Sequence, residues 1–117
     1  MTASKAQRLA VFLEKLGQAP PARSAAEARQ LLETVLNAVE DTLTSIPAAP
    51  DQWQTDGRMY APRDDSARTV PGRPDVTRYR NRNHNTWIGQ NGAIRISRSD
   101  GACLLDKPGL DGRTVGI

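Results

Sequence analysis

The sequence predicts an α+β protein, with an N-terminal helical hairpin packed on a C-terminal antiparallel meander of three or four strands. Three observations carry this. Two stretches in the first 45 residues place apolar side chains at intervals of three and four, each opened by capping-box spacing. Residues 76–107 switch to alternation of period two. Asn91-Gly92 and Asp100-Gly101 then interrupt that alternation where tight turns belong. At 117 residues the chain suits one domain around one core.

The elements follow in order. Ser4 and Gln7 have capping-box spacing, and Leu9, Phe12, Leu13 and Leu16 follow at helical intervals. Gly17 is read as the helix stop, with Pro20-Pro21 preventing resumption. Ser24 and Glu27 open a second, stronger helix with Ala28, Leu31, Leu32, Val35, Leu36, Val39 and Leu43 on one stripe. That helix should end before Pro47. Residues 46–75 carry prolines at 47, 50, 62, 71 and 74 and show no sustained period, so they are read as a long connecting loop. Trp53, Met59 and Tyr60 are its candidate anchors, with one short strand or turn near residues 56–60. From Val76 the alternation begins. Ile94 and Ile96, with Leu104 or Leu105, form an apolar face that the helices cover. Arg78, Arg80, Arg95 and Arg98 are assigned to the opposite face or the edge. Asn91-Gly92 is expected to form a two-residue type I′ turn.

Composition narrows the function classes. Hydrophobic residues are 38%, aromatics 4% and charged residues 25%, and no apolar run approaches the roughly 20 residues of a bilayer span. No membrane partner is expected. Glu14 and Lys15 cut short the run from Leu9 to Leu13, which argues against a signal peptide. One cysteine, Cys103, allows no internal disulfide. The net charge of +3 is unevenly placed: residues 1–65 hold 7 Lys or Arg against 9 Asp or Glu, and residues 66–117 hold 9 against 4. Of the 16 cations 13 are arginine, the side chain whose planar fork fits a phosphate. The basic β-rich part therefore points to an anionic partner, against a solvated basic surface as the plain alternative.

His84 is the only histidine and lies in the polar stretch Asn81-Arg82-Asn83-His84-Asn85, between two strands. Imidazole titrates near pH ~6.5 and can both give and take a proton. A proton carrier among guanidinium groups is what metal-independent RNA cleavage requires: deprotonation of a 2′-hydroxyl, neutralisation of phosphorane charge and protonation of the leaving oxygen. On this reading His84, Arg80 and Lys107 are the catalytic candidates, and Arg78, Arg82, Arg95 and Arg98 the phosphate-binding ones. All four glutamates (14, 27, 33 and 40) lie on the helices, so a second acid or base would be Asp75, Asp106, Tyr79 or Lys107. A surface histidine without a role and arginines that discourage edge-to-edge pairing are the competing reading. Asp64-Asp65 and one histidine do not make a metal-ligand set, and neither a metal nor a cofactor is expected. Trp87 reads as core, with base stacking as the minor alternative.

Residues 56–60 (DGRMY), the stretch from Tyr79 to Ile96 with His84-Asn85-Thr86, and Asp106-Lys107-Pro108-Gly109 together resemble the C-terminal toxin domains of bacterial polymorphic and contact-dependent toxin systems. The order of helices before a meander is similar to that of the barnase-like RNase toxins. The likeness covers about half the chain. It implies an RNA substrate, a cytoplasmic site of action reached as part of a larger secreted toxin, and a cognate immunity protein as partner. A metal-independent ribonuclease is thus the leading expectation. A non-catalytic interaction module, such as an immunity or adaptor protein, and an RNA-binding protein are the alternatives.

Overall fold

The structure, a computed structural model, describes residues 5–44, 66–81 and 84–117, with side chains over 7–39, 66–80 and 84–117. Two helices, α1 (Lys5–Gln18) and α2 (Ala25–Thr44), precede five strands: β1 (Arg68–Val70), β2 (Arg73–Asn81), β3 (His84–Gly89), β4 (Ile94–Arg98) and β5 (Cys103–Lys107). The strands pair in sequence order, all antiparallel, as one sheet. The α+β class and the helices-then-meander order are as the sequence predicts. The sheet has one strand more than expected, because β1 and the first residues of β2 lie in the stretch read as connection. The readings that concern Ser4, Leu43, residues 56–60 and the anchors Trp53, Met59 and Tyr60 lie outside the described residues or side chains.

Local chemistry sets the helix ends. Ser24 Oγ accepts the Glu27 amide (3.2 Å), capping α2. The Glu27 carboxylate reaches back one residue further than in a standard capping box and accepts the Arg23 amide (2.8 Å). At the end of α1, Gly17 lies inside the helix, not beyond it, and the last turn closes with Ala19 donating to Lys15 O (3.1 Å). The stop comes from Pro20, which disfavours helical geometry in the residue before it.

The core lies between the helices and one face of the sheet. Phe12 and Leu16 of α1 and Ala28, Leu32, Val35, Leu36 and Val39 of α2 meet Tyr79, Ile88, Ile94 and Ile96. A register irregularity between Ile96 and Ser97 leaves Leu104 extra in β5, and both Leu104 and Leu105 pack against this cluster. A smaller cluster lies on the other face, where Val115 of the C-terminal tail covers Val76 and Ala93, with Val70 and Trp87 beside them.

Three turns share one construction. Gly89 donates to Ala93 O (2.9 Å) while Gly92 donates to Gly89 O (3.0 Å), which closes a three-residue loop. The two-residue type I′ turn expected at Asn91-Gly92 is therefore corrected by one residue. The cause is the Asn91 side chain, whose Oδ1 accepts the Ala93 amide (3.1 Å), with the positive φ (89°) falling on Gly92. Asp100-Gly101 repeats the pattern between Arg98 and Ala102, and Asp111-Gly112 repeats it in the tail between Gly109 and Arg113.

Candidate nucleic-acid interface

Cross-strand pairing decides which side chains share a face. In register, Arg68 of β1 opposes Arg78 of β2, Arg78 opposes Trp87 of β3, Trp87 opposes Arg95 of β4, and Arg95 opposes Asp106 of β5. These five residues form one row across the sheet, on the face turned away from the helices. Arg80, two residues beyond Arg78, shares that face beside Asn85 and Ser97. Arg68, Arg78 and Arg80 are exposed. Among the described residues the side chains of Arg78 and Arg80 make no hydrogen bond or ion pair, and the tail packs on this face through Val115. Arg68 donates to Ala67 O (2.7 Å). Like charges set directly opposite each other, as Arg68 and Arg78 are, cost stability unless an anion or solvent separates them.

Trp87 and Arg95 form the centre of the row. The Arg95 guanidinium stands over the Trp87 ring, 5.9 Å from its centroid. Its pairing with Asp106 is loose, with Nη1 3.7 Å from Oδ2. Arg95 Nε is enclosed and has no hydrogen-bond partner among the described residues. An arginine held on an indole, with donors to spare, can stack on a flat ligand and bond to its edge.

His84 lies elsewhere. It pairs with Arg98 and shares the helix-side face with Thr86, Ile88, Ile94 and Ile96. Burial, and then the Arg98 charge, hold its pKa below the usual 6.5, so the imidazole is neutral at pH 7. Arg98 is exposed at the end of that same face and pairs with Asp100 (3.0 Å), so the sheet does not bring it to the arginine row. Lys107 opposes Ile94 on the helix side, is buried, and donates from Nζ to Ala19 O in the α1–α2 connection. Burial lowers its pKa. Its contacts are those of a strut between helix hairpin and sheet. Arg82 lies outside the described residues. The structure thus brings together Arg78, Arg80 and Arg95 from the expected set, adds Arg68 and Trp87, and puts His84, Arg98 and Lys107 on the other side.

No protein family, curated protein or solved structure matches this chain. The site stands on its geometry alone. Among the described residues no three His, Cys, Asp or Glu side chains could hold a metal ion, and no helix is long and apolar enough to cross a membrane.

Arg68 and Arg73 lie in the Pro-rich stretch whose composition marks a connection, not a strand. Arg73 clasps the tail, donating from Nη2 to Val115 O (2.7 Å) and from Nη1 to Gly116 O (3.1 Å) while paired with Asp75. The available signal was Pro71-Gly72 between Arg68-Thr69-Val70 and Arg73, a two-residue turn flanked by strand-forming residues.

Proposed function

We propose that this protein binds RNA on the sheet face turned away from the helices. The observation that carries the proposal is the cross-strand row in which Arg68, Arg78 and Arg95, joined by Arg80, surround Trp87. Guanidinium groups on successive strands offer bidentate donors to successive phosphates, and a rigid sheet fixes their spacing. An acidic protein surface would also meet cations here; the half-exposed Trp87 ring, packed at one side on the Val115 cluster, adds a stacking surface that favours a nucleic acid. The test is binding of labelled RNA followed by fluorescence anisotropy. Arg78→Gln with Arg80→Gln should weaken binding by tenfold or more, taking about 1.4 kcal/mol as a factor of ten. Unchanged affinity in that double variant would exclude this face.

The ribonuclease reading retains one specific support, the neutral imidazole of His84 beside Arg98. A base and a phosphate cation that act on one phosphate must reach it from one side, and His84 is across the sheet from Arg78 and Arg95. The placement therefore supports binding more than cleavage. Incubation with total RNA in EDTA, beside His84→Ala, separates the two. Binding without cleavage is expected. Cleavage by the wild type that disappears in His84→Ala would instead make this a metal-independent nuclease and revive the toxin-domain role, with an immunity protein as its partner.

A further inference from the structure

We infer that Trp87 and Arg95 form a base-stacking platform, and that the ligand is consequently single-stranded, laid across the strands with its phosphates toward Arg68, Arg78 and Arg80. This rests on the RNA-binding reading of the same face and narrows it. Neighbouring strands are about 4.8 Å apart, so Arg68 on β1 and Arg95 on β4 stand roughly 14 Å from each other, room for a few nucleotides. Between them the row presents one flat surface, the Trp87 ring with the Arg95 guanidinium over it. Both groups stack on nucleobases, whose π-faces are free only where the strand is unpaired. A duplex presents phosphates to the same arginines but no base to the platform. The long contact of Arg95 Nη1 to Asp106 leaves guanidinium donors for a base edge. The tail packs at the Val76 end of this face, so the open course runs over Arg78, Arg80 and Asn85.

Three probes test this: a 12-nucleotide single-stranded RNA, the duplex of the same sequence, and inorganic polyphosphate of matching charge. The single strand should bind about tenfold more tightly than either of the others, the contribution of roughly one stacked base. Arg95→Lys keeps the charge but loses the planar group, so it should weaken single-strand binding about fivefold or more while leaving polyphosphate binding unchanged. Trp87→Leu should act in the same direction. Because Trp87 also touches the Val115 cluster, its melting temperature is measured alongside, and Arg95→Lys decides if that variant unfolds. Equal binding of all three probes, or equal weakening of all three by Arg95→Lys, overturns the platform but leaves the polyanion face standing. Binding of none of the three overturns both.

Discussion

Gly92 meets two demands at once. Its φ of 89° lies where a Cβ is strained, and a Cβ there would press on the carbonyl of Ala22 in the α1–α2 connection. Gly101 occupies the matching place in the next turn at φ 95°, with open space around it. Gly92→Ala should therefore destabilise by more than about 3 kcal/mol and Gly101→Ala by about 1–2 kcal/mol, as read from urea unfolding. His84 gives a second prediction. The unfolded imidazole titrates near 6.5 and the folded one lower, because burial and then Arg98 oppose its charge. Between those values the unfolded chain binds more protons, so stability falls as pH drops below 6.5. The lowered carboxylates, Glu27, Asp75, Asp100 and Asp111, begin to bind protons in the unfolded chain about one pH unit above the 4.5 of an ordinary glutamate, so they act below about pH 5.5. Melting temperature between pH 6.5 and about 5.5 should decline in the wild type and stay nearly level in His84→Gln. A decline of equal size in both would remove His84 as its source. The side on which His84 lies was legible. It is four residues before Ile88, and in a strand even spacing means a shared face. Nearness in sequence to Arg80 and Arg82 masked that parity.

Both helices were legible as elements because their burial follows the 3.6-residue period. Of the apolar stripe of α2 read from sequence, Ala28, Leu32, Val35, Leu36 and Val39 are buried and Leu31 is half-buried at its edge. The tail was less so. Nothing in its composition says that Asn91 holds it, yet Asn91 Nδ2 donates to Asp111 Oδ1 (2.9 Å) and Arg113 O (3.0 Å) while Oδ1 caps Ala93. The two tail partners lie 20 and 22 residues away, beyond the reach of local patterns. Asn91→Ala removes all three bonds. It should cost about 1–3 kcal/mol and loosen residues 110–117 first. Hydrogen exchange would show this as faster exchange at the Leu110 amide, which donates to Ala22 O (2.8 Å), and at Arg113. Unaltered exchange there would mean that Arg73, the Val115 packing and the Leu110 bond secure the tail without Asn91. Strand β1 escaped sequence analysis for another reason. It has three residues, too few to show alternation, and its partner is recognisable only through the Pro71-Gly72 turn. Lys107 shows how the element governs the residue. Its place opposite Ile94 on β5 points it at the helix hairpin, so Lys107→Ala should lower stability by about 1–3 kcal/mol, whatever its effect on RNA.

Across the molecule the charge is divided as the chain is. The helical half is net acidic, the sheet half net basic, and the sheet turns its apolar face toward the helices and its arginine row away from them. The separation follows from one rule applied along the meander. Isoleucines take the alternate positions that must be covered, so arginines on the remaining positions fall together on the other side. A surface made in this way binds an extended polyanion mainly by releasing the counterions around it. That makes salt dependence the whole-molecule measurement. Three arginines, 68, 78 and 80, each meeting one phosphate of a single strand, give a slope of log affinity against log salt near −2.1, at about −0.7 per phosphate. Arg78→Gln with Arg80→Gln should cut that slope to about −0.7, and Arg98→Gln, on the other face, should leave it unchanged. A flat salt response in the wild type would mean that the partner is not held by phosphates. A fall in slope with Arg98→Gln equal to that of the row would mean that the ligand ignores the division between the two faces, and the sheet would then be a carrier of charge without a defined site.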